Sequence, residues 1–316
     1  MKKDFSKIHP QLQQSAKLFP NLTYSKLNIW LINFLSRLVP ASKPPRDVSI
    51  ENIFIAGKDD KQKIGLRIYK PKSIHEAAPV LLWMHGGGYV VGNPKQDDFS
   101  CIQYVRELGI TVISVDYRLA PKYPFPAALE DGYSALKWVN SNAQQLGVDN
   151  KRIAVGGASA GAGLAAALAQ FAHDQNEVKL VFQLLVYPML DDRTALRADI
   201  DDSHNVTWNR KSNQFGWEAY LGKKCGAEGV PPYAVPARRK NLSGLPAAWI
   251  GVGTLDMFYD EDIAYAQRLK KAGVPCETYL VAGAFHGFDV FDFQIPIVQE
   301  FRKSQITALK KCFFGD

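Results

Sequence analysis

Short runs of consecutive apolar residues alternate with longer segments of helical periodicity over most of the chain. Runs that are apolar at successive positions are typical of strands buried on both faces of a sheet. Six runs are predicted as strands: Val80–Met84, Ile110–Val115, Ile153–Val155, Leu180–Val186, Ala247–Val252 and Thr278–Val281. Helices are predicted near 97–108, 126–146, 160–173, 258–272 and 295–312. This alternation indicates an α/β fold with a mostly parallel sheet covered by helices on both sides.

A β-hairpin is predicted before this alternation. The runs Ile50–Ala56 and Ile64–Tyr69 flank the turn-rich segment Gly57–Asp60. Strand-like runs separated by such a segment are typical of two antiparallel strands.

An amphipathic helix is predicted over residues 24–39. Its apolar positions recur at helical spacing, and they are Leu27, Trp30, Leu31, Phe34, Leu35 and Leu38. Prolines from Pro40 onward end the helix. The stripe is compatible with binding at a membrane interface, but packing as a cap on the following domain is the simpler interpretation.

These patterns predict two parts of the chain. Residues 1–48 are expected to form amino-terminal cap helices, and residues 49–316 the main domain. The stretch 191–246 interrupts the strand–helix rhythm and is predicted to be an insertion that borders a pocket. Trp30 and Phe34 of the cap, and Trp208, Phe215 and Trp217 of the insertion, are candidates for that pocket, although core packing explains these aromatic residues equally well.

Composition excludes several classes of protein. With 316 residues and 47 % hydrophobic residues, the chain is not predominantly disordered. Its four cysteines form no CxxC pair, which predicts neither a zinc site nor a disulfide scaffold. The start of the chain has no apolar region typical of a signal peptide, and Asn28–Val39 is too short to span a bilayer. These features predict a cytoplasmic protein.

The positive charge is concentrated near the amino terminus. The formal net charge is +7, and residues 1–72 hold 14 Lys and Arg against 5 Asp and Glu. The basic residues are scattered, and no nucleic-acid-binding motif accompanies them. We therefore expect a solvated face and no nucleic-acid partner.

A serine motif follows a predicted buried strand and precedes an Ala-rich helix. Gly157-Ala158-Ser159-Ala160-Gly161 matches the pattern G-x-S-x-G. On a sharp strand-to-helix turn, small neighbours let the strand and helix approach closely and expose the hydroxyl. The position predicts that Ser159 is a catalytic nucleophile.

A glycine-rich loop follows the strand Val80–Met84. It reads His85-Gly86-Gly87-Gly88-Tyr89, and no Gly-Lys-Ser/Thr sequence follows to indicate a phosphate loop. Consecutive glycines free the backbone to direct N–H groups toward a developing oxyanion. We assign the oxyanion hole to the N–H groups of Gly87, Gly88 and Ala160, and we interpret His85 as structural.

The base and the acid are expected later in the chain. Of the six histidines, His286 lies in a Gly-flanked loop after the last predicted strand. Asp256 follows the strand Ala247–Val252, and Asp191 or Asp192 after Leu180–Val186 is the alternative acid. The order Ser159, Asp256, His286 matches a known order of such triads.

Five motifs in this order resemble the hormone-sensitive-lipase-like family of α/β-hydrolase carboxylesterases. They are the HGGGY loop, Asp116-Tyr-Arg-Leu-Ala-Pro with Pro124–Asp131, the serine motif, Asp256–Glu261 and His286-Gly-Phe. The resemblance spans roughly residues 50–315. It implies an α/β-hydrolase fold with an eight-stranded core sheet, an amino-terminal helical cap, and hydrolysis of acyl esters without a cofactor or metal. It also implies the triad Ser159, Asp256 and His286, with oxyanion donors Gly87, Gly88 and Ala160.

The chain departs from the family at Ala158, where Asp or Thr is common, so any polar contact of that side chain is absent. Asp116 and Arg118 are expected to support the glycine loop by hydrogen bonds and an ion pair. The expected substrates are small-molecule esters with short to medium acyl chains. An amidase or deacetylase with the same triad and a non-catalytic receptor are the alternatives. A homodimer, the commonest oligomer, is compatible with the sequence.

Overall fold

One mixed sheet of eight strands lies at the centre of the computed structural model, which describes residues 4–19, 22–59, 62–73, 76–290 and 292–315. The strands are β1 (Val48–Ala56), β2 (Lys63–Pro71), β3 (Ala78–Met84), β4 (Thr111–Asp116), β5 (Val148–Ala158), β6 (Phe182–Val186), β7 (Ala247–Gly253) and β8 (Cys276–Val281). Their order is β1-β2-β4-β3-β5-β6-β7-β8. Among these eight, only β2 runs against the others. The predicted mostly parallel, eight-stranded sheet is confirmed.

Helices connect and cover the strands. They are α1 (Gln13–Leu18), α2 (Ile29–Leu38), α3 (Asp98–Leu108), α4 (Ala127–Ser141), α5 (Ala143–Leu146), α6 (Ala160–Gln175), α7 (Arg210–Leu221), α8 (Tyr259–Lys271) and α9 (Pro296–Phe314). The helix predicted over 126–146 is split at Asn142, whose side-chain amide donates to Trp138 O at 2.8 Å. The stretch 191–246 contains α7 and several short 3₁₀ turns.

Two apolar layers cover the two faces of the sheet. Along β3, Val80, Leu82 and Met84 join the cluster that includes α4, α6 and α8. Leu81 and Trp83 point the other way and join the cluster that includes α3 and α9. Successive side chains of a strand alternate between faces, so the continuous apolar run in the sequence serves both layers.

The predicted hairpin is confirmed, with β1 and β2 paired antiparallel from Val48 opposite Pro71 to Ala56 opposite Lys63. The end of its predicted turn, Asp60, lies outside the described residues. Two short elements before it, a 3₁₀ turn at Pro10–Leu12 and α1, lie in the predicted cap region 1–48, where bounds were predicted only for the helix over 24–39. They bury Leu12 and Ala16 in the layer that includes α9.

The helix predicted over 24–39 is shorter and faces the other way. It begins only at Ile29, because the side chain of Asn28 binds the preceding backbone: its Oδ1 accepts from Ser25 N at 2.9 Å and its amide donates to Thr23 O at 2.8 Å. Such local bonds compete with helix formation. The predicted apolar stripe is exposed to solvent, with Trp30 and Phe34 both on the outside.

A buried ion pair joins β2 to α3. Arg67 donates to both carboxylate oxygens of Asp98, at 2.8 and 3.0 Å, and Tyr69 OH donates to the same carboxylate at 2.7 Å. The side chains of Arg67 and Asp98 are only 6 % and 1 % exposed. Removing one partner of such a pair leaves an uncompensated buried charge.

We expect Arg67→Met to lower the free energy of unfolding by about 3–5 kcal/mol, because Asp98 then stays buried without its cation. The matched control is Arg106→Met, whose pair with Asp47 is half exposed and should cost less than about 1 kcal/mol. Urea titrations followed by circular dichroism measure both values. Equal losses in the two variants would contradict the prediction.

Candidate active site

Ser159 lies on a sharp turn between β5 and α6. Its backbone has φ 56° and ψ −122°, a positive φ that is uncommon for residues other than glycine. A Cβ on Gly157 or on Gly161 would overlap the carbonyl oxygen of Met84 at the end of β3. Glycine at these two positions therefore allows α6 to begin against the sheet edge, with Ser159 at the turn between them.

His286 links Ser159 to Asp256. The distance from His286 Nε2 to Ser159 Oγ is 2.8 Å, and the distance from Nδ1 to Asp256 Oδ2 is 2.7 Å. With the ring proton on Nδ1, the hydroxyl donates to Nε2 and Nδ1–H donates to the carboxylate. The other carboxylate oxygen accepts the backbone N–H of Phe258 at 2.9 Å. The three residues come from loops after β5, β7 and β8, and the fold brings them together.

The loops that carry Asp256 and His286 pack directly on each other. A Cβ on Gly253 would overlap the carbonyl of Ala284, and Leu255 N donates to that carbonyl at 3.0 Å. The His286 ring meets the rings of Tyr187 and Phe258 edge-on, with centroids 4.8 and 5.0 Å away. These contacts hold the imidazole between the carboxylate and the hydroxyl.

The glycine loop and Ser159 line the same cavity. Gly87 and Gly88 have φ values of 121° and 60°, and in the described part of the chain neither N–H donates a hydrogen bond. The carbonyl of Gly87 instead accepts from Val90 N and Val91 N. Ala160 is the first residue of α6, where backbone N–H groups have no acceptor within the helix. Gly87, Gly88 and Ser159 line one cavity.

His85 and Tyr117 support the glycine loop. His85 is fully buried, stacks on Tyr117 with ring centroids 4.2 Å apart, and its Nδ1 lies 2.8 Å from Gly86 O. Tyr117 OH donates to His85 O at 2.7 Å. Burial lowers the pKa of His85 to about 4, so the ring is neutral near pH 7. Its contacts with the loop and Tyr117 give it a structural role.

The prediction that Asp116 and Arg118 bind the glycine loop is wrong. Arg118 pairs with Asp131 of α4 at 2.9 Å, and Asp116 is exposed at the end of β4. The residue that reaches the loop is Tyr117, between them. The side chains of neighbouring residues in an extended chain point in opposite directions. Tyr117 therefore contacts the glycine loop, and the charged residues on either side of it do not.

The alternative acids point elsewhere. Asp191 pairs with Arg193 at 2.6 Å, and the buried Asp192 pairs with Arg238 at 2.8 Å. Among the described residues, the carboxylate within hydrogen-bond distance of His286 is that of Asp256.

Residues 81–290 match the model of a family described as having the alpha/beta hydrolase fold. Esterase LipI of Mycobacterium tuberculosis is 37 % identical over 256 residues, covering 80 % of this chain and 79 % of LipI. Carboxylesterase NlhH of the same species is 33 % identical over 280 residues, covering 87 % of this chain and 88 % of NlhH. Among solved structures, a bacterial heroin esterase superposes with a TM-score of 0.90 at 34 % identity, covering 98 % and 99 % of the two chains.

The chain belongs to the hormone-sensitive-lipase-like family of α/β hydrolases. The predicted fold class is confirmed, and the protein is a carboxylic ester hydrolase. Curated relatives that are named for ester hydrolysis cover most of its length.

The site of this α/β hydrolase opens into a cavity of about 380 Å³. Phe19, Leu22 and Tyr24 form part of its wall, and Trp208 of the 191–246 stretch forms another part beside Gly88. Its other lining residues are Gly86, Gly87, Val91, Gln96, Asp97, Ala158, Ser159, Tyr187, Thr207, His286, Gly287 and Val290.

The other aromatic candidates for the pocket lie elsewhere in the hydrolase. Trp30 and Phe34 stack on each other at the surface, so they lie neither in the pocket nor in the core, the two places that their pattern left open. Trp217 is buried in the core and Phe215 packs against it. An aromatic residue is compatible with surface, core or pocket, so the sequence pattern does not separate these places.

Asp97 is a cavity residue of the hydrolase that sequence analysis missed. Its Oδ2 accepts the indole N–H of Trp83 at 2.7 Å. Burial raises the pKa of Asp97 to about 7, although the Trp83 hydrogen bond opposes this shift. The only signal in the sequence is the pair Asp97-Asp98 at a predicted helix start, where carboxylates are favourable in any protein.

The described ranges of the hydrolase hold no group of three or more His, Cys, Asp or Glu side chains that is placed to bind a metal ion. In the same ranges, no helix combines the length and apolar character that crossing a bilayer requires.

We expect Gly88→Ala to reduce hydrolysis of 4-nitrophenyl butyrate by at least roughly a hundredfold, because its Cβ would overlap the Trp208 ring and displace the glycine loop. Gly109→Ala is the matched control: its φ of 65° is similar to the 60° of Gly88, but a Cβ there meets no atom of the described residues within 4 Å. It should lose about 1 kcal/mol of stability and keep its activity. Similar activity of the two variants would contradict a role for the loop position.

Proposed function

We propose that the chain hydrolyses short- to medium-chain acyl esters through Ser159, His286 and Asp256, with an acyl-enzyme intermediate. The observation that carries this proposal is the continuous row of hydrogen bonds from Asp256 through His286 to Ser159, at 2.7 and 2.8 Å. Gly87 and Gly88 line the same cavity as Ser159, and in the described ranges their backbone N–H groups donate no hydrogen bond. A nucleophile, a base, an orienting acid and an electrophilic site are the parts that acyl transfer needs.

Acylation begins when His286 Nε2 takes the proton of Ser159 Oγ as this oxygen attacks the ester carbonyl. The new O–C bond makes a tetrahedral intermediate whose negative oxygen accepts hydrogen bonds from Gly87, Gly88 and Ala160. The intermediate collapses with cleavage of the bond to the alcohol oxygen. The proton on Nε2 moves to that oxygen, and the alcohol leaves.

Deacylation repeats these steps with water. His286 takes a proton from water, whose oxygen attacks the acyl carbonyl, and the bond to Ser159 Oγ then breaks. The proton returns to Ser159 and the carboxylic acid leaves. Asp256 keeps the proton on Nδ1 in both halves and stabilises the imidazolium that each half forms.

The size of the cavity supports short to medium acyl chains. Its volume of about 380 Å³ lies near the lower end of the roughly 300–1,000 Å³ typical of ligand pockets. Its wall is mostly apolar, with Leu22, Val91, Trp208 and Val290 among the lining residues.

The amino-terminal segment acts as a cap in this proposal. The predicted cap, residues 1–48, ends at Val48, which is the first residue of β1. Phe19, Leu22 and Tyr24 of this segment line the cavity, and Tyr24 N donates to Ser212 Oγ of α7 at 3.1 Å. Met1–Lys3, Pro20 and Asn21 of the predicted cap lie outside the described residues.

Asp256→Asn should lower kcat for 4-nitrophenyl butyrate roughly ten-thousandfold, because the amide no longer holds the reactive tautomer of His286. Asp191→Asn is the matched control and should stay within about tenfold of the parent, since this carboxylate pairs with Arg193. Ser159→Ala sets the floor, roughly a millionfold below the parent. Thermal unfolding checks that each variant folds.

The assignment of the acid would be wrong if Asp191→Asn were the more damaging change. The assignment of the nucleophile would be wrong if Ser159→Ala retained turnover near the parent level.

The acyl-chain preference is expected to peak between acetate and octanoate in a series of 4-nitrophenyl esters. The value of kcat/KM should fall at least roughly tenfold by the palmitate, because a cavity of this size does not bury a long chain. Leu22→Trp should move the peak toward shorter chains. Leu27→Trp is the control, because Leu27 is 93 % exposed and does not line the cavity.

A peak at palmitate would contradict the chain-length proposal. An unchanged peak in Leu22→Trp would contradict the role of the amino-terminal segment as a cap.

A further inference from the structure

The surface of α2 that points away from the protein is more apolar than the surface that points toward it. We define the outer face of α2 by its exposed apolar residues, including one residue just before the helix: Leu27, Trp30, Leu31, Phe34, Leu35 and Leu38. They are between 48 and 93 % exposed. The inner side carries Ile29, Ile32, Asn33 and Ser36, of which two are polar. A surface helix normally has the opposite arrangement.

Specific hydrogen bonds keep α2 in this orientation. The side chain of Asn33 donates to Val90 O at 2.9 Å and accepts from Gly92 N at 3.1 Å. Ser36 Oγ accepts from the side-chain amide of Asn93 at 3.3 Å. Rotating the helix to bury the outer face would break these bonds. The apolar residues of the outer face therefore stay exposed in the folded protein.

The segment around this face is positively charged throughout. Residues 5–46 contain no Asp or Glu and carry six basic residues: Lys7, Lys17, Lys26, Arg37, Lys43 and Arg46. The last four are exposed. Among the described residues, none of these four forms an ion pair with a carboxylate.

We propose that the outer face of α2 docks on the surface of an anionic phospholipid bilayer. Trp30 and Phe34 then lie at the boundary between headgroups and acyl chains, and the neighbouring Lys and Arg side chains contact lipid phosphates. A helix with an apolar aromatic face and basic flanks lies in the membrane interface in this way.

The charge pattern favours lipid over a second copy of the chain. Pairing two outer faces would bring eight exposed basic residues together, with no acidic residue of this segment to compensate them. An anionic lipid surface attracts each of these charges. Lipid therefore satisfies both the apolar and the electrostatic character of the face.

Docking also brings the substrate cavity near the lipid. Leu22 lies on the cavity wall and is itself 37 % exposed. It precedes the first residue of the outer face, Leu27, by five positions. Apolar esters partition into bilayers, so the docked protein receives them close to their source.

Vesicle flotation tests this proposal and does not depend on catalysis. The full-length protein should float with vesicles of equal parts phosphatidylglycerol and phosphatidylcholine, and much less with phosphatidylcholine alone. The double variant Trp30→Ser/Phe34→Ser should partition at least roughly tenfold more weakly. Its control is Phe54→Ser on β1, because Phe54 is as exposed as Trp30, at 72 %; it should float like the parent.

A second pair of variants tests the charges. Lys26→Gln/Arg37→Gln should weaken partitioning roughly fivefold for each charge removed, whereas Lys303→Gln/Lys310→Gln on the exposed side of α9 should change it little. All variants should keep the parent's thermal unfolding and hydrolysis of soluble 4-nitrophenyl butyrate.

The proposal is overturned if the parent protein fails to float with either kind of vesicle, or if Trp30→Ser/Phe34→Ser floats as well as the parent. A dimer that sedimentation detects in the parent and not in that variant, without vesicle binding, would assign the face to self-association instead.

Discussion

The close approach of backbone to backbone at one edge of the sheet is the constraint on which the site depends. The carbonyl of Met84 occupies the space that a Cβ on Gly157 or Gly161 would need, and the carbonyl of Ala284 does the same at Gly253. Interiors are packed too densely to absorb an extra carbon there without displacement. Glycine at these positions sets the separation of the loops, and this separation places the side chains of Ser159, His286 and Asp256 within hydrogen-bond distance.

Three buried titratable groups outside the row of Ser159, His286 and Asp256 have shifted pKa values. Burial lowers the pKa of His85 to about 4 and raises the pKa values of the Glu261 and Asp262 carboxyl groups well above their ordinary range. Glu261 accepts the backbone N–H groups of Leu190 and Asp191, and so holds the loop after β6. Glu261, a carboxylate in the first turn of α8, therefore holds the loop after β6 in addition to its favourable interaction with the helix dipole.

The amino-terminal segment contributes residues to the cavity wall and to the protein surface. Its residues before α2 form part of the cavity wall, while α2 turns its apolar face to solvent and its polar residues to the loop that follows the glycine motif. The two proposals therefore assign substrate selection and surface attachment to one short stretch of chain. In the proposed arrangement, the catalytic residues on the sheet edge are independent of both.

Local sequence patterns were sufficient to predict the eight strands, most helices and the positions of the serine, glycine and histidine motifs. Continuous apolar runs and small residues indicate these features within one short stretch of chain. Tertiary structure decided which groups meet. It placed Asp256 rather than Asp191 at His286, Tyr117 rather than Arg118 at the glycine loop, and Asp97 in the cavity. It also oriented α2, since helical periodicity defines an apolar stripe but not what that stripe faces. Contacts between distant residues depend on packing that no local pattern contains.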